Sequence, residues 1–176
     1  MRLSSGYSLY ELLVTVVIIS AVLTLGIPSF SDVLARQRQR VELNALFHAI
    51  HLAKKESIVR NRVVTICASR DLEQCESTTN WSNGWLIFEN TDKDQPARVD
   101  ESEPIVARHK VAQNVTLKSN RRSYTFRSTQ KRATNGTIVA CDNTERIRAR
   151  ALVLSYTGRP RITFENRYGT PYSCSD

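Results

Sequence analysis

Residues 6–31 of the chain read GYSLYELLVTVVIISAVLTLGIPSFS, and this stretch decides the fold. From Leu12 to Ser31 there are 20 consecutive residues without a charge, and most of them are Leu, Val or Ile. As an α-helix such a run is about 30 Å long, which is the thickness of the hydrocarbon core of a bilayer. The sequence therefore predicts a helix that spans a membrane.

The residues around this run predict how the helix is processed. No A-x-A-like site follows the apolar stretch, so removal of the segment as a secretory signal is not expected. The polar residues MRLSSG precede it instead, in an arrangement that resembles a type IV prepilin leader. The resemblance implies that a prepilin peptidase cuts between Gly6 and Tyr7 and methylates the new amino terminus. It also implies that Glu11 pairs with the terminal amine of a neighbouring subunit during assembly. The alternative is an ordinary single-pass anchor.

Beyond Pro28 the pattern is that of an amphipathic helix, which should run to about Ser57. From Val63 onward the periodicity changes to short β-branched and aromatic runs, with turn residues at Ser82-Asn83-Gly84 and Asn135-Gly136 that predict antiparallel hairpins. The predicted strands are Val63–Cys67, Trp85–Phe88, Ile105–His109, Val115–Leu117, Ser123–Arg127, Thr137–Cys141, Ala151–Tyr156 and Arg161–Phe164. We expect an α+β fold, in which one long helix packs on two small antiparallel sheets.

Four cysteines in a chain that enters a membrane favour two disulfides in an oxidising compartment. They allow three pairings. We favour Cys67 with Cys75, which closes a short acidic loop, and Cys141 with Cys174, which pins the C-terminal tail to a core strand. A zinc site is disfavoured because there is no CxxC pair and no nearby histidine, and we expect neither a metal nor a cofactor.

Positive charge is concentrated in the last part of the chain. The formal net charge is +8, which divides into +4 for residues 1–62, −6 for residues 63–104 and +10 for residues 105–176. A basic segment of this kind is typical of proteins with a polyanionic partner.

The head resembles the FimT/GspH family of minor pilins and pseudopilins. The resemblance rests on TIC at residues 65–67 followed by Cys75, on WSNGWLIF at residues 81–88 and on GTIVAC at residues 136–141. It implies a type IV pilin-like fold, with a leader over residues 1–6, a transmembrane assembly helix over residues 7–31, an amphipathic helix over residues 32–60 and a β-rich head over residues 61–176. We interpret Trp81 and Trp85 as core anchors rather than as a ligand-binding pair.

Arginines of the basic segment are spaced in a way that suits phosphate. Arg146-Ile-Arg148-Ala-Arg150 alternates, so an extended backbone would place the three guanidinium groups on one face. Gly158-Arg159-Pro160-Arg161 lies between two apolar runs, which predicts a turn that displays both arginines. Further basic residues that we expect to contribute are Arg167, Lys118, Arg121, Arg122, Lys131 and Arg132.

A C-terminal G-R-x-R element also resembles FimT-type minor pilins, and Gly158, Arg159 and Arg161 match it. The resemblance implies a minor pilin that binds double-stranded DNA without sequence preference during natural transformation. Its other expected partners are pilin subunits, the prepilin peptidase and the inner membrane. The subunit is expected to be held in the inner membrane first, with its head in the periplasm, and then to move into the pilus. The alternatives are a structural minor pilin that primes assembly, and a pseudopilin of type II secretion. No catalytic motif is visible, so an enzyme is not expected.

Overall fold

The computed structural model describes residues 6, 8–128, 133–143 and 146–174, except for the side chains of residues 24–29. Within these residues it has one helix, α1 (Leu9–Val59), followed by eight strands. The strands are β1 (Val64–Ala68), β2 (Gly84–Glu89), β3 (Ile105–Lys110), β4 (Val115–Ser119), β5 (Ser123–Phe126), β6 (Gly136–Asp142), β7 (Arg150–Leu154) and β8 (Pro160–Thr163). The chain divides into two compact units, residues 1–35 and residues 36–176.

The first unit contains the beginning of α1. The Ser8 Oγ accepts a hydrogen bond from the backbone N–H of Glu11 at 3.2 Å, which is the N-terminal signature of a helix that starts with S-x-x-E. Tyr7 and residues 1–5 lie outside the described residues, so the processing site stays a prediction. No helix built from the described residues has both the length and the apolar character that crossing a bilayer requires.

In the second unit, α1 has the amphipathic character predicted for it. Leu43, Leu46, Ile50 and Ala53 are each at most 1% exposed, because they form the stripe that faces the sheets. The helix ends at Val59, two residues after the predicted position.

Two antiparallel sheets of four strands pack with this part of α1 around one core. The first sheet has the order β3-β2-β1-β5 and the second sheet has the order β4-β6-β7-β8. Ile66 and Ile87 of the first sheet share a buried cluster with Leu117, Ile138 and Leu152 of the second. The α+β, pilin-like fold expected from the sequence is therefore confirmed.

Both favoured disulfides are present. The bond between Cys67 and Cys75 ties the segment after β1 to the outer face of the first sheet. The bond between Cys141 and Cys174 ties the C-terminal tail to β6.

The two tryptophans are core residues, as predicted. Trp81 is fully buried and Trp85 is 5% exposed. The Trp81 Nε1 donates a hydrogen bond to the carbonyl of Arg121 at 3.1 Å, so its polar end is satisfied in the structure.

The prediction of a hairpin at Asn135-Gly136 is wrong. β5 belongs to the first sheet and β6 to the second, so the intervening segment connects two sheets. Gly136 is needed there for a close approach, because a Cβ would lie 2.5 Å from the Asn120 Oδ1 and 2.8 Å from the Tyr124 hydroxyl. Residues 82–84 likewise do not form a tight hairpin, since β1 and β2 pair across the long connection 69–83.

Candidate nucleic-acid interface

The β7–β8 hairpin displays Arg159 and Arg161, as the sequence predicts. The Gly158 N–H donates to the Ser155 carbonyl at 2.9 Å, and the Ser155 N–H donates to the Arg159 carbonyl at 3.1 Å. Gly158 has φ +69°, the left-handed conformation that a three-residue hairpin connection requires at this position and that glycine adopts without strain. We call residues 155–161 the arginine turn.

Contacts from elsewhere in the head hold the arginine turn in place. The Lys54 Nζ of α1 donates to the Thr157 carbonyl at 2.8 Å. The Ala133 N–H donates to the Tyr156 carbonyl at 2.7 Å. A surface loop with hydrogen bonds to two other segments is better fixed than one held only by its own strands.

Both arginines of the turn are exposed. Arg161 pairs with Val153 in the antiparallel ladder, so the side chains of these two residues are on the outer face of the second sheet, away from α1. Neither Arg159 nor Arg161 forms an ion pair with an acid among the residues that the structure describes. From residue 146 to residue 164 the sequence has five arginines and no acidic residue.

Arg121 and Arg122 lie at the same end of the second sheet as the arginine turn. Asn120 joins β4 to these two arginines, and it exchanges hydrogen bonds with Thr137 of β6. Thr137 pairs in turn with Val153 of β7, close to the arginine turn. Both arginines are exposed. From β4 to β8 there are three strand spacings, or about 14 Å. The fold thus brings together two pairs of arginines that are almost 40 positions apart in sequence.

Arg146, Arg148 and Arg150 are at the opposite end of the second sheet. Only Arg150 belongs to a strand, since β7 begins there, but Ile147 and Ala149 are buried between the arginines, as the predicted alternation requires. Arg146 and Arg148 are exposed. Along β7 the four residues from Arg150 to Leu154 span about 13 Å, which separates this group from the arginine turn.

Arg150 also faces away from Arg161. Residues 150 and 153 are an odd number of positions apart on β7, so their side chains project from opposite faces of the sheet. The Arg150 guanidinium stacks on Phe164, 4.4 Å from the ring centre, and its Nε is buried without a hydrogen-bond partner among the described residues. Arg150 is therefore a packing residue more than a displayed charge.

The remaining predicted residues are spread around the tail. Arg167 is exposed beyond Phe164 and stacks on Tyr168 at 4.6 Å, again at the end opposite the arginine turn. The Lys118 Nζ on β4 donates to the Cys174 carbonyl at 3.0 Å. Lys131 and Arg132 lie outside the described residues.

A second basic surface, which the sequence does not reveal, surrounds a cleft of about 790 Å³. Its basic lining residues come from three distant segments: Arg60 and Arg62 after α1, Lys93 after β2, and Arg127 after β5. Buried Glu89 neutralises part of this charge, since its carboxylate pairs with Arg60 at 2.6 Å and Arg62 at 3.7 Å. In the sequence these residues are only single charges near the ends of separate elements, and the fold alone brings them to one place.

Comparison with known proteins gives the chain a family. No curated protein sequence matches it. A crystal structure of the type IV minor pilin FimU of Pseudomonas aeruginosa is 25% identical, covers 82% of this chain and 98% of its own, and has a TM-score of 0.51. The minor pseudopilin EpsH from the type 2 secretion system of Vibrio cholerae is 11% identical, covers 72% of this chain and 96% of its own, and has a TM-score of 0.51, a likeness of fold alone.

The family model described as type II transport protein GspH matches residues 42–167, which is more than half of the chain. That range includes the packed half of α1, both sheets and the arginine turn. The chain belongs to the GspH family of minor pilins and pseudopilins.

Proposed function

We propose that this protein is a minor pilin of a type IV pilus that binds double-stranded DNA, without sequence preference, during DNA uptake. The observation that carries the proposal is the arginine turn, where Arg159 and Arg161 are exposed on a hairpin fixed by Gly158 and by contacts to α1. Exposed charges on a fixed support lose less conformational freedom on binding than charges on a mobile loop.

Phosphate is the ligand that this arrangement suits. An arginine side chain stays charged at every relevant pH and presents planar donors that match phosphate oxygens in a bidentate way. We expect Arg121 and Arg122, which follow β4 at the same end of the second sheet and about 14 Å away, to contact the same duplex. The surface has no acid between residues 146 and 164 to compete with phosphate.

Contact with the DNA backbone accounts for the absence of sequence preference. Base readout in the major groove usually needs a helix or a two-stranded ribbon that enters the groove. The helix of the described residues packs its apolar stripe on the sheets, so the turn arginines are left to meet the phosphates. Backbone contact is the form of recognition that arbitrary environmental DNA requires.

The N-terminal segment serves delivery in this proposal. The prepilin peptidase cuts between Gly6 and Tyr7, residues 7–31 hold the protein in the inner membrane with its head in the periplasm, and the subunit then joins the pilus. α1 begins at Leu9, the third residue after the proposed junction, so Glu11 lies in its first turn and is available to a neighbouring subunit's amine. Mass spectrometry of the membrane form tests the processing, and a chain that still starts at Met1 contradicts it.

Salt-dependent DNA binding tests the proposed activity. The full chain in non-ionic detergent is titrated into fluorescent duplexes of unrelated sequence at several salt concentrations. If Arg121, Arg122, Arg159 and Arg161 each contact a phosphate, log K against log salt has a slope of about −3.6, so affinity falls about 150-fold between 50 and 200 mM salt. The Arg159→Ala/Arg161→Ala variant should have a slope of about −1.8, and its affinity should fall only about 12-fold.

The matched control removes the same amount of charge elsewhere. Arg36→Ala/Arg38→Ala takes two exposed arginines from α1, and it should keep the wild-type slope. The proposed surface would be contradicted if the wild type and the Arg159→Ala/Arg161→Ala variant had equal salt slopes. It would also be contradicted if the turn variant and the Arg36→Ala/Arg38→Ala control lost DNA affinity equally. The protein would then be a structural minor pilin or a pseudopilin whose basic surface has no DNA to bind.

A further inference from the structure

The acidic middle segment contains a cluster of carboxylates that the DNA-binding proposal does not use. Oxygen atoms of Asp92, Asp100 and Glu103 all lie within 4.8 Å of one another, in the connection between β2 and β3. Asp92 and Asp100 are exposed, whereas Glu103 is 5% exposed. A buried carboxylate beside two others is electrostatically unfavourable unless a cation or a proton compensates the charge.

No basic side chain supplies that compensation within the described residues. None of the ion pairs there includes Asp92, Asp100 or Glu103. The Glu103 carboxylate accepts hydrogen bonds from the Thr91 N–H at 2.6 Å and the Asp100 N–H at 3.3 Å, which orient its oxygens but add no positive charge.

A separate observation concerns Asn90, which is fully buried at the end of β2. Its Nδ2 donates to the Asp94 carboxylate at 2.9 Å, so its amide group points into the loop that carries the acidic cluster. The Oδ1 of the same amide is buried and has no hydrogen-bond partner among the described residues. A buried amide oxygen without a partner, in the same loop as uncompensated carboxylates, suits an oxygen-liganded cation.

We propose that the loop between β2 and β3 binds a calcium ion through the carboxylates of Asp92, Asp100 and Glu103, with the Asn90 Oδ1 as a neutral oxygen ligand. Calcium binds six to eight oxygens at 2.3–2.6 Å, so two ligands of one ion are at most about 4.8 Å apart when each is about 2.4 Å away. Magnesium binds at about 2.0–2.1 Å and usually keeps several waters, so it is less suited to a site made mainly of protein oxygens.

The sequence of the loop supports this assignment. Asn90-Thr-Asp92-Lys-Asp94 places oxygen-bearing side chains at alternate positions, as in the first half of many calcium-binding loops. The same loop covers the outer face of the first sheet, where Ala97 packs against Phe88. A bound calcium ion therefore pins the loop over this part of the core.

Calorimetric titration of the full chain in detergent tests the site. Wild-type protein should bind one calcium ion with a dissociation constant of about 10⁻⁴–10⁻³ M, the range of extracellular calcium modules. Asp92→Asn and Asp100→Asn should each weaken binding at least tenfold. Both positions are exposed and asparagine keeps an acceptor oxygen, so these variants should fold, as thermal unfolding without calcium would check.

Glu73→Gln is the matched control, because it removes one exposed charge from the same acidic segment outside the cluster. It should bind calcium like the wild type, and calcium should raise the Tm of both proteins but not that of the Asp92→Asn variant. Absence of binding at 10 mM calcium, equal affinity in the variants of Asp92 and Asp100, or equally tight binding of magnesium would each overturn the proposal.

Discussion

Gly158→Ala should destabilise the head and weaken DNA binding without any change in charge. Gly158 has φ +69°, and an alanine in this left-handed conformation costs about 1–2 kcal/mol. The added Cβ would also lie 3.3 Å from the Ala133 Cβ, which is a tight contact, whereas its distances of 3.5 Å to the Phe126 ring and 3.6 Å to the Lys54 Cδ are ordinary van der Waals contacts. One tight contact typically costs about 1 kcal/mol, so we expect a loss of about 2–3 kcal/mol in the free energy of unfolding.

Gly169→Ala separates the two contributions. Gly169 has φ +78°, but a Cβ added there would meet no atom within 4 Å, so that substitution carries the conformational strain without the crowding. Chemical denaturation of both variants gives the difference, and the duplex titration shows whether the displaced turn lowers DNA affinity. If Gly158→Ala is no less stable than Gly169→Ala, the packing argument fails. If it binds DNA with unchanged affinity and salt slope, the turn does not position the arginines.

Three further predictions concern the framework of the head. Cys141→Ser/Cys174→Ser opens a loop with a sequence separation of 33 and should lower the free energy of unfolding by about 3.7 kcal/mol. Removal of the Cys67–Cys75 disulfide, with its separation of 8, should lower it by about 2.5 kcal/mol, and chemical denaturation measures both losses. Burial raises the pKa of Tyr124 from its ordinary value of 10 to about 12, because the folded protein disfavours the charged phenolate. The contribution of Tyr124 to the free energy of unfolding is therefore complete below pH 10 and is lost between pH 10 and pH 12, by about 1.4 kcal/mol per pH unit. Urea unfolding at pH 9, 10 and 11 should show this decline in the wild type but not in Tyr124→Phe. Gln39→Leu leaves the carbonyls of Ala140 and Arg148 without their Nε2 donor and should lower the free energy of unfolding in urea by about 1–3 kcal/mol, whereas Gln37→Leu on the exposed side should have little effect.

Local periodicity was enough to predict the elements of the fold, but not how the strands pair. Eight β-rich runs and one helix follow from apolar spacing, since side-chain burial repeats with the geometry of each element. Asn135-Gly136 misled because that dipeptide is typical of hairpins, whereas Gly136 is required by a contact with Asn120, which is distant in sequence. The sequence alone does not distinguish a glycine that is required by a close contact from a glycine that is required by a turn.

The candidate site was predictable where it depends on neighbouring residues. The arginine turn follows from a glycine and a proline between two apolar runs, and it is present at that place. The grouping of the turn with Arg121 depends on the strand order of the second sheet, which no local pattern contains. The basic cleft beside Arg60 and Arg127 was missed for the same reason.

Strand register, more than the number of arginines, decides which charges one DNA duplex meets. Residues 105–176 carry a charge of +10, yet Arg150 faces away from Arg161 and stacks on Phe164. The salt slope counts only the arginines that contact phosphates, because counterions are released where phosphates are neutralised. A duplex that lies across the strands at the end with the arginine turn can contact Arg121 and Arg122 as well as the turn, but not Arg146 and Arg148, which lie about 13 Å away along β7. The salt slope should therefore count the arginines at that end of the second sheet and not the charge of the whole segment.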